Sequence, residues 1–317
     1  MESILSMEET IMIHEKKSTQ NQYFSFLMVF IVLSIVILVG TFAFASEGGG
    51  NHYPGGNEDF MVGAAPPPGF YFLNYLSWYK ADKLLDNNGN KVPIDFKLDA
   101  IANVFRFVYS SNVNALGGNL VFHAVVPVAN IHVSVAGSGE SKTGLGDIAV
   151  GPALAWHKKN LHLVAAFDTV APTGSYDEKD LANIGRNYWS FNPIIAVTYL
   201  SDDGWETSGK FMYFINTKNN SNDYRSGDEF SIDYLLGKHI GNLNIGINGH
   251  YLLQTTDDHM KFEPANFDGN KGSVLSVGPA IQYNYKNMFF TAKYQFDTNV
   301  KNRPEGQTLW FKFMYAF

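Results

Sequence analysis

In the last eleven residues, aromatic character recurs at every second position. Phe311, Phe313, Tyr315 and Phe317, with Leu309 before them, alternate with Trp310, Lys312, Met314 and Ala316. A period of two puts each set on one face of an extended strand, because successive Cβ atoms point to opposite sides. The pattern recurs upstream. Phe290, Ala292, Tyr294 and Phe296 oppose Phe289, Thr291, Lys293, Gln295 and Asp297. Leu275, Val277, Pro279, Ile281, Tyr283 and Tyr285 oppose Val274, Ser276, Gly278, Ala280, Gln282 and Asn284. Phe230, Ile232, Tyr234 and Leu236 oppose Ser231, Asp233, Leu235 and Gly237. From Gly69 onward no helical period competes with this one, so the chain is committed to β-sheet. Twelve strands are predicted, at 69–81, 94–110, 116–127, 144–157, 160–172, 189–201, 204–217, 226–239, 242–256, 273–285, 288–300 and 307–317. Tight turns at Lys159-Asn160, Asp202-Asp203-Gly204, Gly241-Asn242 and Lys286-Asn287 alternate with longer polar loops at 82–93, 128–143, 173–188, 218–225 and 257–272. Each strand holds the ~9–11 residues that cross a bilayer at a tilt, and short turns on one side with long loops on the other mark an outer-membrane barrel. A sandwich also alternates, but it hides its apolar face between two sheets and needs no aromatic-rich strand ends. The expectation is all-β: a closed antiparallel transmembrane barrel over 69–317, with both ends of the mature chain on the short-turn side. Composition agrees. Aromatic residues make up 15 % of the chain and charged residues only 17 %, against about 25 % charged in a soluble domain.

The barrel reading needs an export signal, and the chain has one. Phe24 to Gly40 carries no charge, and Ala43 and Ala45 form an A-x-A cleavage site, which defines residues 1–45 as a signal peptide cut after Ala45. Residues 1–23 hold four Glu and two Lys, the wrong sign for a leader, so Met12 is the better start. Residues 46–68, with Gly48-Gly49-Gly50 and Pro66-Pro67-Pro68, suit neither helix nor strand, and form either a periplasmic arm or a lumen plug. The terminal Phe311, Phe313, Tyr315 and Phe317 resemble the insertion signal read by the outer-membrane assembly machinery.

Several ordered motifs carry a family resemblance. They are Tyr53-Pro54-Gly55-Gly56-Asn57-Glu58-Asp59-Phe60, Pro66-Pro67-Pro68-Gly69-Phe70-Tyr71-Phe72-Leu73-Asn74-Tyr75, Gly144-Leu145-Gly146-Asp147-Ile148, Pro172-Thr173-Gly174-Ser175-Tyr176-Asp177 and Asn183-Ile184-Gly185-Arg186-Asn187-Tyr188-Trp189-Ser190-Phe191-Asn192-Pro193. Over residues 53–317 the chain resembles the outer-membrane transporter family named for the MetA pathway of phenol degradation. The resemblance implies a bacterial outer-membrane barrel, with lipid and a small hydrophobic or aromatic solute as its partners. The family name reflects genetic context, so phenol itself is not carried over.

Chemistry beyond transport finds little support. A net charge of −7 repels nucleic acid, and the absence of cysteine excludes thiol catalysis and Cys-ligated metals. Gly144-Leu145-Gly146-Asp147-Ile148-Ala149 fits G-x-G-x-x-A but opens a strand where a dinucleotide site needs a helix. Asp86-Asn87-Asn88-Gly89-Asn90 resembles part of a calcium loop, yet Leu84 stands where an oxygen ligand belongs, so a turn is expected. Asp257-Asp258-His259 is a further polar cluster. No G-x-S-x-G is present, and neither a cofactor, a metal nor catalytic residues are expected; a Ser–His pair brought together by folding would favour a hydrolase. Charges in the lipid band cost ~2–4 kcal/mol each. Arg106, Asp168, Glu206, Lys210, Asp233, His250, Lys293, Asp297 and Lys312 are therefore assigned to the lumen face. They either line a path or satisfy one another across strands, Lys210 with Glu206 or Asp233, and Lys293 with Lys312 and Asp297. The leading expectation is a passive channel, with a closed structural barrel and an outer-membrane hydrolase behind it.

Overall fold

The computed structural model describes residues 50–260, 263–264 and 269–317. The expected signal peptide, residues 1–45, and its expected cleavage site fall outside the described residues. Sixteen strands follow in order: β1 (Gly69–Leu84), β2 (Phe96–Ala115), β3 (Gly118–Val135), β4 (Ser138–Leu145), β5 (Ile148–Lys158), β6 (Leu161–Ala171), β7 (Ser190–Leu200), β8 (Trp205–Asn216), β9 (Tyr224–Arg225), β10 (Glu229–Ile240), β11 (Leu243–Gln254), β12 (His259–Met260), β13 (Glu263–Pro264), β14 (Ser273–Tyr285), β15 (Met288–Lys301) and β16 (Pro304–Ala316). No helix occurs among the described residues.

Twelve of these strands close into an antiparallel barrel. Neighbours run β2-β1-β16-β15-β14-β11-β10-β8-β7-β6-β5-β3, and β3 pairs with β2 to complete the ring. The first and last strands seal it, from Tyr71↔Ala316 to Leu84↔Pro304. Closure removes the free edges, and each backbone N–H and C=O in hydrocarbon needs that internal partner. The burial pattern is inverted relative to a soluble protein. Phe107, Phe167, Ile247, Phe296 and Phe311 are exposed on the outside, while Glu206, Asp233, Asn248, Gln254, Lys293 and Gln295 are buried inside. Bilayer on one side and a packed polar lumen on the other produce this arrangement from one alternating pattern.

The predicted strand ends hold closely at β14 and β15 and fail in two places. The expected loop 128–143 is instead the protruding hairpin β3–β4, with Ala136 (φ 51) and Gly137 (φ 83) at its tip. Its second strand, Ser138–Leu145, is polar on both faces and reads as loop because, beyond the membrane, a strand has no apolar face to keep; Ile131, Val133 and Val135 of β3 still alternate with Asn130, His132 and Ser134. The stretch 111–115, left between the predicted strands 94–110 and 116–127, is an extension of β2 with a bulge between Ser110 and Asn114, ending at Leu116-Gly117. β9, β12 and β13 form a separate three-stranded patch in the long loops. A Cβ on Gly50 would meet Arg186 Nη2 at 1.8 Å, and Arg186 belongs to the β6–β7 connection, at the long-loop end. Gly50, the first described residue, therefore lies at the long-loop end.

Candidate functional site in the barrel lumen

Residues 50–68 bond to inward-facing side chains from one end of the barrel to the other. At the long-loop end His52 Nδ1 lies 2.7 Å from Ser190 Oγ, and its Nε2 lies 2.9 Å from Asp147 Oδ2. At mid-height the Tyr53 hydroxyl donates to Asp233 Oδ2 at 2.5 Å, and the Gly56 and Glu58 amides donate to the same carboxylate at 2.8 and 3.1 Å. Toward the short turns the Met61 amide donates to Glu206 Oε1 at 2.6 Å, and the Gly63 amide to Thr198 Oγ1 at 2.9 Å. A glycine- and proline-rich stretch without strand or helix pairs little of its own backbone, the Ala64 amide to the Met61 carbonyl at 2.9 Å being one such bond, so wall side chains supply further partners.

The centre of the site is a carboxylate pair held by four cations. Arg106 Nη1 donates to Glu58 Oε1 at 2.6 Å. Lys312 Nζ reaches Asp59 Oδ1 at 2.9 Å and Glu58 Oε2 at 3.5 Å. Lys293 Nζ lies 3.2 Å from Asp59 Oδ2 and donates to the Gly56 and Asn57 carbonyls at 2.7 and 2.8 Å. Lys210 Nζ stands 3.9 Å from Glu58 Oε1 and over the Tyr53 ring. Wall aromatics flank the cluster, with Lys312 Nζ 5.5 Å from the Tyr75 ring centre and Lys293 Nζ 5.2 Å from that of Trp310. Charges this deep persist only when paired and hydrogen-bonded.

All nine titratable residues assigned to the lumen point inward, but they do not pair as expected. Lys210 and Asp233 are register partners, yet each binds the inserted segment. Lys293 and Lys312 meet through Asp59 and not through Asp297, which accepts from Tyr79 and Ser276. Asp168 binds His123 Nε2 at 2.7 Å, and His123 Nδ1 accepts from Arg106 at 3.0 Å. His250 stands against Gly55, where a Cβ would come within 2.5 Å of its ring. Glu206 also takes His239 at 2.5 Å. Tyr53, Glu58, Asp59 and His52 escaped sequence reasoning. They lie in a stretch with no period, and the wall's four cations are already matched in number by Asp168, Glu206, Asp233 and Asp297.

Folding does assemble a Ser–His–Asp cluster, Ser190, His52 and Asp147, but its details are those of an anchor. Ser190 is fully buried, and its hydroxyl donates to Asn216 Oδ1 at 2.5 Å. The Asn216 amide is oriented by donating to the Gly227 carbonyl at 2.9 Å, so the serine proton points away from the histidine. His52 Nε2, though near Asp147, makes no aligned hydrogen bond. A nucleophile needs a base in reach of its proton and an orienter behind that base. Burial lowers the His52 pKa, against the opposing pull of Asp147. Asp147 itself accepts from the Gly174 and Arg186 amides at 2.8 and 2.7 Å, so the cluster ties residue 52 to the loops.

The other motifs are structural. Gly144 and Gly146 lie at the β4–β5 junction with strand on both sides. Asp86 Oδ1 accepts from the Asn88 and Asn90 amides at 2.9 and 2.8 Å, which closes a turn. Among the described residues no group of three or more His, Asp or Glu is placed to hold a metal ion. On the outer wall an apolar groove of about 580 Å³ runs past Pro152, Phe167, Pro193, Phe211 and Phe230. There the β5–β6 ladder skips from Val150↔Thr169 to Ala153↔Ala166, and the β7–β8 ladder skips from Phe191↔Ile215 to Ile194↔Met212. Each gap contains a proline, which has no N–H to donate.

The fold resembles that of the COG4313 outer membrane channel from Pseudomonas putida F1, with 18 % identity, a TM-score of 0.71, and coverage of 81 % of this chain and 98 % of that one. More distant are the β-domain of the Bordetella autotransporter BrkA (9 % identity, TM-score 0.47, covering 79 % and 100 %) and the CymD monoaromatic hydrocarbon channel (10 %, 0.42, covering 80 % and 89 %). No curated protein matches the sequence. The family model described as "Putative MetA-pathway of phenol degradation" matches residues 81–313, most of the barrel, and the chain belongs to that family.

Proposed function

We propose that the protein is a bacterial outer-membrane channel for passive entry of small hydrophobic or aromatic compounds, closed at rest by residues 50–68 acting as a plug. The observation that carries this reading is what fills the lumen. Wall side chains that locked onto each other would make a solid structural barrel. Here the wall's Arg106, Lys210, Asp233, Lys293 and Lys312 each make an ion pair or hydrogen bond to a segment outside the barrel's own ladder, Arg106 keeping its bond to His123 as well. A segment held by ion pairs and hydrogen bonds can leave without breaking a strand. The likeness to a barrel described as an outer membrane channel supports the fold half of the reading. Tyr75, Trp310 and Phe214 supply buried aromatic surface for an apolar solute. Cleavage after Ala45 and recognition of Phe311, Phe313, Tyr315 and Phe317 by the assembly machinery belong to the same proposal.

A tether tests it. The chain has no cysteine, and the Tyr53 and Phe214 ring centres lie 6.0 Å apart. Tyr53→Cys/Phe214→Cys protein in liposomes is expected to admit phenyl glucoside when reduced, to lose that flux under a short bis-methanethiosulfonate cross-linker, and to regain it with dithiothreitol. A correctly folded barrel, judged by heat-modifiable gel mobility, with no flux in either state would leave the closed structural barrel.

A further inference from the structure

The cations around Glu58 and Asp59 say what kind of solute the lumen receives. Arg106, Lys293 and Lys312 project from β2, β15 and β16, and their carboxylate partners come from the inserted segment alone. The wall acids are committed elsewhere: Asp168 to His123, Glu206 to His239 and Asp297 to Tyr79. Asp233 is the exception. It is occupied by Tyr53, Gly56 and Glu58 while the segment is seated, and it faces Lys210 in register. When the segment leaves, Asp233 and Lys210 can pair across β8 and β10, while Arg106, Lys293 and Lys312 lose every carboxylate they had. Three cations gathered at one level of the lumen with no carboxylate in contact attract an anion. Tyr75 and Trp310, the aromatic faces beside Lys312 and Lys293, belong to the wall and remain.

We propose that the open lumen binds an aromatic carboxylate, whose carboxyl group takes the place of Glu58 and Asp59 among Arg106, Lys293 and Lys312 while its ring lies against Tyr75 and Trp310. This rests on the channel reading above and narrows its solute class. The two plug carboxylates are then an internal stand-in for the solute, and solute entry is an exchange of one anion for another. The exchange keeps a carboxylate among Arg106, Lys293 and Lys312 in both states, which a neutral aromatic cannot do.

The test is the zero-current potential of the mature protein in planar bilayers, in gradients of potassium benzoate, potassium gluconate and benzyltrimethylammonium chloride. Benzoate is expected to outrun benzyltrimethylammonium by about tenfold, a modest case of charge focusing in a low-dielectric cleft, and to outrun gluconate as well. Glu58→Gln/Asp59→Asn should raise the benzoate current, because the seated segment then competes less well. Lys293→Gln/Lys312→Gln, with heat-modifiable mobility as the folding control, should bring the ratio toward one. Equal permeation of benzoate and benzyltrimethylammonium, a ratio untouched by the lysine substitutions, or gluconate passing as well as benzoate would overturn the proposal. In those outcomes current still flows and the channel reading stands. Absence of current in every salt, together with no phenyl glucoside flux in the reduced tether variant, would be the failure of the channel reading itself.

Discussion

Two buried groups in the loop region titrate with opposite consequences. Asp258 accepts from the Tyr224 hydroxyl, the Gly227 amide and Gln254 Nε2 at 2.5, 2.7 and 2.7 Å. Burial pushes its pKa up to about 7 against those donors, with Glu229 adding to the rise. A raised carboxyl pKa stabilises the fold most below the unfolded value near 4, and that contribution is lost as pH climbs toward 7. The Gly227 amide should therefore show a smaller exchange protection factor at pH 8 than at pH 5, and Asp258→Asn should flatten the difference. His52 works the other way. Burial holds its pKa below the ordinary 6.5, so its contribution is complete above pH 6.5 and declines on acidification. Neither behaviour was legible in the sequence. Asp258 read as part of an exposed polar cluster, and only the fold brings Tyr224 and Gln254 onto it.

At the scale of the element, the alternating pattern does most of the work, and its weak points are turns. The β3–β4 hairpin turns through Ala136 and Gly137, both at positive φ. A left-handed backbone costs an alanine about 1 kcal/mol, which asparagine largely escapes by bonding locally. Ala136→Asn should stabilise the hairpin by up to about 1 kcal/mol, measured by slower proteolysis at 128–145. Strand packing across the outer face carries a second constraint. A Cβ on Gly249 would fall 1.8 Å from the Ser276 carbonyl oxygen, and the hydroxyl of Tyr234, its register partner, donates to that oxygen at 2.7 Å. The aromatic ring covers a glycine that the sheet could not replace. Sequence periodicity located these strands because membrane and lumen impose opposite polarity on adjacent residues. It missed β4, which reaches beyond the bilayer and loses the contrast, and with it the end of β3, where Ile131, Val133 and Val135 still alternate with polar residues.

For the whole molecule, the lumen is a single electrostatic unit spread over strands far apart in the chain. Lys312 on β16 holds Glu58 and Asp59 together with Arg106 on β2 and Lys293 on β15. Removing one partner of a buried ion cluster costs about 3 kcal/mol or more, since the remaining charge stays desolvated. Lys312→Met is therefore expected to unseat residues 50–68 while leaving the barrel closed. The readout is faster protease cleavage within that segment, with unchanged heat-modifiable mobility of the barrel. Equal cleavage rates in both proteins would mean that the cluster is not what holds the segment.

By itself the sequence determined the all-β class, the twelve strands of the barrel and the family, because each of these is written in residue periodicity or in ordered local motifs. It assigned Arg106, Lys210, Asp233, Lys293 and Lys312 to the lumen for a physical reason, the cost of a charge in lipid. Only the tertiary structure decided their partners. Glu58 and Asp59 sit 48 and 253 residues from the Arg106 and Lys312 groups that bind them, in a segment without periodicity. Nothing local encodes such a contact: it exists because the sheet closes on itself and leaves a lined, desolvated space in which an irregular chain can be held only by the polar groups around it.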